Sequence, residues 1–287
     1  MTKRILLFIM TNVLVMLTVS VIVNVLGLGH YLTPYGINWV SLATFCGIWG
    51  MTGAFISLAL SRFIAKKAMG VQVIDSNPSH PLVMMVDLLR QRAGLPMPEV
   101  GIYESPEMNA FATGPTKKRS LIAVSSGLLN KMSKDEVEGV LAHEISHIAN
   151  GDMVTMALIA GVVNSFAMFL SRVISYFVSL SVKEDIAYIV RFALTIALDI
   201  LFSILGSIIV AFFSRSREFK ADMGAATIAG KDKMIAALEN LQRNFEPIDR
   251  RAASLDTLKI SGKSGFLALF STHPALEKRI EVLRNSH

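Results

Sequence analysis

The sequence predicts a mainly α-helical membrane protein, with four transmembrane helices and a soluble α+β part that carries a small sheet. Three observations predict it. Hydrophobic residues make up 52% of the 287 residues and charged residues only 17%, with a mean hydropathy of +0.51, too apolar for a soluble domain of this length. The apolar residues gather into four long runs. Between and after those runs lie stretches of mixed composition, punctuated by turn residues.

The first run, residues 5–28, follows Lys3 and Arg4 and contains no charge. It is longer than the apolar core of a signal peptide and no small-residue cleavage site follows it, so an uncleaved anchor is expected. The second run, residues 38–60, is long enough to cross a hydrocarbon core of roughly 30 Å. The linker between them has no Lys or Arg, whereas Arg62, Lys66 and Lys67 follow the second run. By the positive-inside rule, residues 1–67 form a transmembrane hairpin with both ends in the cytosol.

Residues 68–153 read as a cytosolic part. A helical pattern covers 81–93; extended segments at 100–103, 109–113 and 121–124 alternate with Gly, Pro, Ser and Asn and suggest a small antiparallel sheet. Ser133 followed by Glu136 makes a capping box, so a helix should run from about 134 to 150 and stop near Gly151. The third and fourth runs, 154–182 and 186–213, are separated by Lys183, Glu184 and Asp185 and form a second hairpin, residues 154–213. Arg172, Arg191 and Asp199 interrupt them, which leaves open a reading as long core helices of a soluble domain. Residues 214–287 are soluble again, with helical patterns at 231–245 and 276–284 joined by a polar stretch, 246–265, that reads as a mobile loop.

The net charge of +6 sits beside the spans. With no nucleic-acid motif present, the bilayer and not nucleic acid is the partner it implies. Cys46, the single cysteine, excludes an intrachain disulfide and reads as a packing residue.

The capped helix carries His143-Glu144-Ile145-Ser146-His147. The four-residue spacing puts both imidazoles on one face with Cβ atoms roughly 5–6 Å apart, near enough to bind one Zn²⁺. Glu144 lies beside that face, where it can take the proton from an attacking water and pass it to the leaving amine. A metzincin would continue with Gly and His where Asn150 and Met153 stand, so the third ligand must come from elsewhere. Glu218, at the foot of the fourth run, is the candidate. Its E-x-x-x-D spacing to Asp222 sends both carboxylates to one side of a helix, one to bind metal and the other to accept the N–H of a ligand imidazole.

The sequences LAHEISHIANGDM, SREFKAD, NAFATG and THPALEKRI, with a hydrophobic hairpin at each end of the first soluble stretch, resemble the gluzincin family of bacterial membrane zinc metalloproteases that includes the CAAX prenyl proteases. The similarity covers essentially the whole chain. The resemblance implies a gluzincin-type metalloprotease domain and a zinc metalloendopeptidase of the bacterial inner membrane, multi-pass, with catalytic domain and both termini cytosolic. It also implies a stress-induced enzyme whose polypeptide substrates are misfolded membrane proteins. Position by position, His143, His147 and Glu218 match the metal ligands, one zinc per chain, and Glu144 the catalytic residue. Asn109, Ala110 and Phe111 match the segment beside the active cleft, where an exposed strand edge could pair with an extended substrate; a core strand with Phe111 buried is the alternative. His273 or Arg279 could stabilise the oxyanion, if the loop bearing His273-Pro274 folds over the metal.

Two consequences follow from the metal itself. His143 and His147 precede the third and fourth runs while Glu218 follows them, so the chain crosses an even number of times between Asn150 and Glu218. In an antiparallel hairpin, Arg172 lies about ten residues before the turn and Asp199 about fourteen after it, depths that allow an intramembrane ion pair. An inactive membrane scaffold is the rival reading from another class, and it leaves the full hydrolytic set of residues without a purpose.

Overall fold

Capping side chains at His80, Ser125 and Ser133 each start a helix among the described residues. The computed structural model describes residues 36–74, 79–244 and 273–286, together with Val21, Val25, Leu32 and Thr33. The described elements, in chain order, begin with β1 (Leu32–Thr33), β2 (Gly36–Ile37), α1 (Trp39–Met69), β3 (Gln72–Val73) and α2 (Pro81–Arg92). There follow β4 (Glu99–Tyr103), β5 (Ala110–Thr116), β6 (Arg119–Ser125), α3 (Ser126–Lys131) and α4 (Lys134–Asn150). The chain continues with α5 (Asp152–Ser179), α6 (Glu184–Ala229), α7 (Lys231–Arg243) and α8 (Leu276–Asn285). The first apolar run lies outside the described residues except for Val21 and Val25, both helical. The stretch 246–265 lies outside them altogether.

By its contacts the chain divides into two units, Met1–Leu58 with Met156–Val210 and Ala59–Thr155 with Ala211–His287. Three helices that contribute to the first unit, α1, α5 and α6, are long and apolar enough to cross a membrane. In this unit Phe166, Phe192 and Ile200 are exposed while Ser171 and Ser175 are buried, the reverse of a water-soluble core. Ser171 donates to the Ala167 carbonyl at 2.7 Å, while Ser175 donates to the Arg172 carbonyl at 3.2 Å and its hydroxyl lies 2.7 Å from that of Thr195 on the next helix. Helices α1 and α5 touch where Gly50 faces Gly161; a Cβ on Gly50 would lie 2.3 Å from Ser165 Oγ and 2.8 Å from the Gly161 carbonyl oxygen, so only glycine permits this approach. The ion pair expected from hairpin depth forms, with Arg172 Nη1 3.6 Å from Asp199 Oδ1. The Arg172 guanidinium also sits 5.5 Å from the Phe45 ring centroid, a cation–π distance.

The second unit holds the sheet, in order β3-β4-β6-β5. It is mixed and corrects the antiparallel expectation: β4 and β6 run parallel, while β3–β4 and β5–β6 are antiparallel. The reason lies in β5. A meander would put β5 at the centre, but Pro115 has no N–H to donate there and Gly114 adopts φ 144° beside a register shift between Thr113 and Thr116. Such a strand is confined to an edge. Strand β6, buried from Ser120 to Ser125, takes the centre instead. Its unbroken apolar run is the signature of a strand covered on both faces.

Helix α2 starts with Pro81 at its first position, where the missing N–H costs nothing. It joins α4 and α7 in one core built from Val86, Leu89, Ile122, Leu141, Ile145 and Leu238. Helix α6 carries the fourth apolar run without a break into the second unit. Its 46 residues span about 69 Å at roughly 1.5 Å per residue.

Candidate metal centre

Helix α4 begins where the sequence places it. Ser133 Oγ accepts the Glu136 N–H at 3.4 Å and Glu136 Oε2 accepts the Ser133 N–H at 2.7 Å. It stops at Gly151, which adopts φ 70° and ψ 29°, a left-handed conformation that suits glycine. Between these ends Val140, Leu141, Ile145 and Ile148 face the core, leaving His143, Glu144 and His147 on the side turned to α6. All three are buried.

Helix α6 brings Glu218 and Asp222 to that side. The two helices touch at Gly224, where a Cβ would lie 2.7 Å from Ser146 Oγ. Larger residues there would push the carboxylates off the histidines. Ligand atoms of His143, His147 and Glu218 all lie within 4.8 Å of one another. His143 Nε2 and His147 Nε2 are 3.0 Å apart, His147 Nε2 is 3.3 Å from Glu218 Oε1, and His143 Nε2 is 3.5 Å from Glu218 Oε2. Bonds of about 2.0–2.1 Å at tetrahedral angles put ligand atoms about 3.3 Å apart, so the three spacings fit one zinc-sized cation.

The chemistry of the donors agrees. Glu218 Oε1 is buried and has no hydrogen-bond partner among the described residues, with Arg217 Nε standing off at 3.9 Å; a buried carboxylate oxygen without a hydrogen bond is costly and suits a bound cation. Each imidazole is turned by a carboxylate on its far side. His143 Nδ1 is 2.9 Å from Asp222 Oδ1, and His147 Nδ1 is 2.5 Å from Asp152 Oδ2. A carboxylate only accepts, so each Nδ1 carries a proton and each Nε2 faces the gap, its lone pair free to bind a cation once the ring is neutral.

Charge inside the site is strongly biased. Burial works to raise the Glu218 carboxyl, but the imidazoles of His143, His147 and His273 outweigh it and hold the group far below the usual carboxylate range. Burial likewise works against Asp222, which Arg279 and His143 keep ionised. Burial acts to lower His147, yet Asp152 and Glu218 lift it from 6.5 to about 9. In the absence of metal the site holds on to a proton.

The remaining expected residues fall on two sides of this centre. Arg279, from α8, is 6% exposed. It forks onto Asp222, Nη2 to Oδ1 at 2.6 Å and Nε to Oδ2 at 2.8 Å. Its Nη2 also lies 3.4 Å from His143 Nδ1, farther than the carboxylate that claims that nitrogen. The His273 side chain is 64% exposed and its Nδ1 lies 2.9 Å from Glu218 Oε2. Ala110 and Phe111 lie on β5, an edge of the sheet that packs against α4. Asn109 precedes them and is tied to Ser125, whose N–H donates to its carbonyl at 2.9 Å. Phe111 is half-buried against Tyr103, with ring centroids 5.7 Å apart.

Asp152 was not singled out by sequence. It stands five residues after His147, beyond the helix end, where no helical spacing points to it. The only available signal was an acidic residue directly after the Gly151 stop.

Comparison with known proteins places this geometry. The profile described as peptidase family M48 matches residues 78–287. A protein named "Protease HtpX homolog" from Bacillus subtilis (strain 168) is 52% identical over 296 residues, covering 99% of each chain. "Protease HtpX" from Aeromonas hydrophila subsp. hydrophila is 50% identical, covering 98% of this chain and 99% of that one. The crystal structure of S. mikatae Ste24p matches with a TM-score of 0.62 over 97% of this chain and 67% of that chain; at 18% identity it shows a shared fold. A profile match over more than half of the chain, with relatives about half identical along its whole length, shows that the chain belongs to peptidase family M48.

Proposed function

We propose that this metalloprotease is a zinc endopeptidase of the bacterial inner membrane that cleaves membrane proteins, misfolded ones included, at cytosolic sites. In this reading it serves membrane protein quality control and the stress response. The observation that carries the chemistry is the buried triangle of His143 Nε2, His147 Nε2 and the Glu218 carboxylate, whose Oε1 has no hydrogen-bond partner among the described residues. The relatives' names and the three long apolar helices support the setting.

Bound there, zinc would supply Lewis-acid polarisation of the scissile carbonyl and of a water. Glu144 takes that water's proton as it attacks and delivers it to the leaving amine, with no covalent intermediate on the protein. Asp222 fixes the His143 ring and is itself held by the Arg279 fork. Of the two candidates for the oxyanion, Arg279 is buried and committed to Asp222, so the exposed His273 takes that role. The edge strand β5, with Asn109, Ala110 and Phe111 at its start, receives the extended substrate.

The test is hydrolysis of an unfolded membrane protein by the purified, zinc-loaded chain alongside Glu144→Ala. The variant should keep about one zinc per chain and lose activity by roughly 10²–10⁴-fold or more; full activity in it would overturn the enzyme assignment. The cytosolic placement is read separately, from single cysteines at positions 183 and 220 after Cys46 is replaced. A membrane-impermeant reagent applied to intact cells should label 183 and spare 220, and labelling at 220 would reverse the topology.

A further inference from the structure

The two ligand imidazoles are supported unequally. His143 is turned by Asp222, whose charge is already answered by the Arg279 fork, whereas His147 is turned by Asp152, whose only ion-pair partner among the described residues is His147 itself. The geometry that delivers Asp152 is specific. On a continuing helix a residue five positions on lies about 140° around the axis from the first, too far to reach the same ring edge. Here α4 ends at Asn150, Gly151 turns left-handed, and Asp152 opens α5 with its carboxylate folded back. Oδ2 then lies 2.5 Å from His147 Nδ1, with His147 8% and Asp152 6% exposed. Opposite, His147 Nε2 faces Glu218 Oε1 at 3.3 Å.

We propose that Asp152 is the positioning residue of His147: it fixes the ring and its Nδ1–H tautomer and, because no cation among the described residues neutralises it, makes His147 the stronger donor of the two imidazoles. The inference rests on reading the triangle as a metal centre, and one part of it is measurable without metal. Hydrogen-bonded carboxylates behind ligand histidines raise ligand basicity, and their loss weakens metal affinity by roughly 10–100-fold.

The experiment uses the full-length protein in detergent with ring-labelled histidine. Zinc affinity is read by competition with a chelator, and the His147 tautomer by nitrogen chemical shifts of the metal-free protein above about pH 9, where the imidazole is neutral. Asp152→Ala should lose zinc affinity toward the upper end of that range, about 100-fold, and release His147 into a mixture of tautomers. Asp152→Asn still offers a carbonyl oxygen to Nδ1–H but no charge. It should keep the tautomer and lose about tenfold, and it carries the test if the alanine variant does not fold. A residue needed only for folding would lower thermal stability in both variants while leaving tautomer and affinity alone. Affinity within twofold of wild type in Asp152→Asn, or an unchanged tautomer in Asp152→Ala, would overturn the proposal. If wild type takes up no zinc, the metal reading falls, while the tautomer comparison still decides whether Asp152 positions His147.

Discussion

The two units differ in how far apart in sequence the partners of their buried polar groups lie. In the first, most hydroxyls turn back on their own helix, four residues away, as Ser165 to Gly161, Ser171 to Ala167 and Thr195 to Arg191, with Ser175–Thr195 and Arg172–Asp199 joining neighbouring helices. In the second, the decisive contacts join residues far apart in sequence, His273 to Glu218 across 55 positions and Arg279 to Asp222 across 57. A local bond forms wherever the helix forms, so it follows from the chain's immediate neighbourhood. A distant one exists only once the whole unit has folded, and the chemistry depends on it. Damage to these distant contacts in the second unit should therefore spread, and loss of a local hydroxyl bond in the first should stay small.

The sharpest break is Arg279→Leu, which leaves Asp222 charged and buried. Removing one partner of such a pair costs about 3–5 kcal/mol, read as a shift of the denaturation midpoint in detergent. The double variant Asp222→Leu/Arg279→Leu should recover much of that loss, and a single-variant cost under about 1 kcal/mol would show that the fork is not structural. Next in size, Glu218→Ala should weaken zinc by roughly 10–100-fold or more and Asp222→Ala by less. If Asp222→Ala loses more zinc, ligand and orienter are assigned the wrong way round.

The pH dependence is smaller, and its sign is fixed. The folded, metal-free protein holds the His147 proton up to about pH 9 against an ordinary value of 6.5. That proton stabilises the metal-free fold fully below about 6.5, and the contribution is lost as pH rises through about 9. Zinc must displace it, so apparent affinity should climb about tenfold per pH unit between these limits and then level off. Titration calorimetry in two buffers of different ionisation heat should register proton release at pH 7. The smallest effect belongs to the first unit: Ser171→Ala should cost about 0.6 kcal/mol or less, and a loss of several would mean that its hydroxyl serves more than its own helix.

The same contrast explains what the sequence discloses. The capping box at Ser133 and Glu136, the stop at Gly151 and the two histidines are local, and each lies where its spacing predicts. Glu218 and Asp222 were legible because a four-residue helical repeat joins them, and Arg172 and Asp199 because depth in a hairpin is a matter of counting. The partner of Arg279 is not local to anything. Asp152 was hidden for a different reason: a single left-handed residue breaks the helical period that would have pointed to it. The parallel pairing of β4 with β6 required noticing that Pro115 bars β5 from the centre.

Because α6 is one unbroken helix from Glu184 to Ala229, its apolar segment and its two carboxylates share one angular phase. Each residue advances that phase by about 100°. One alanine inserted after Phe213 would leave composition, hydropathy and every ligand intact, yet turn Glu218 and Asp222 about 100° relative to the segment before them. Four inserted residues bring the phase back to within about 40° but lengthen the rod by about 6 Å. The number of residues between the last apolar turn and Glu218 thus sets the face of this helix on which the two carboxylates stand relative to its apolar segment.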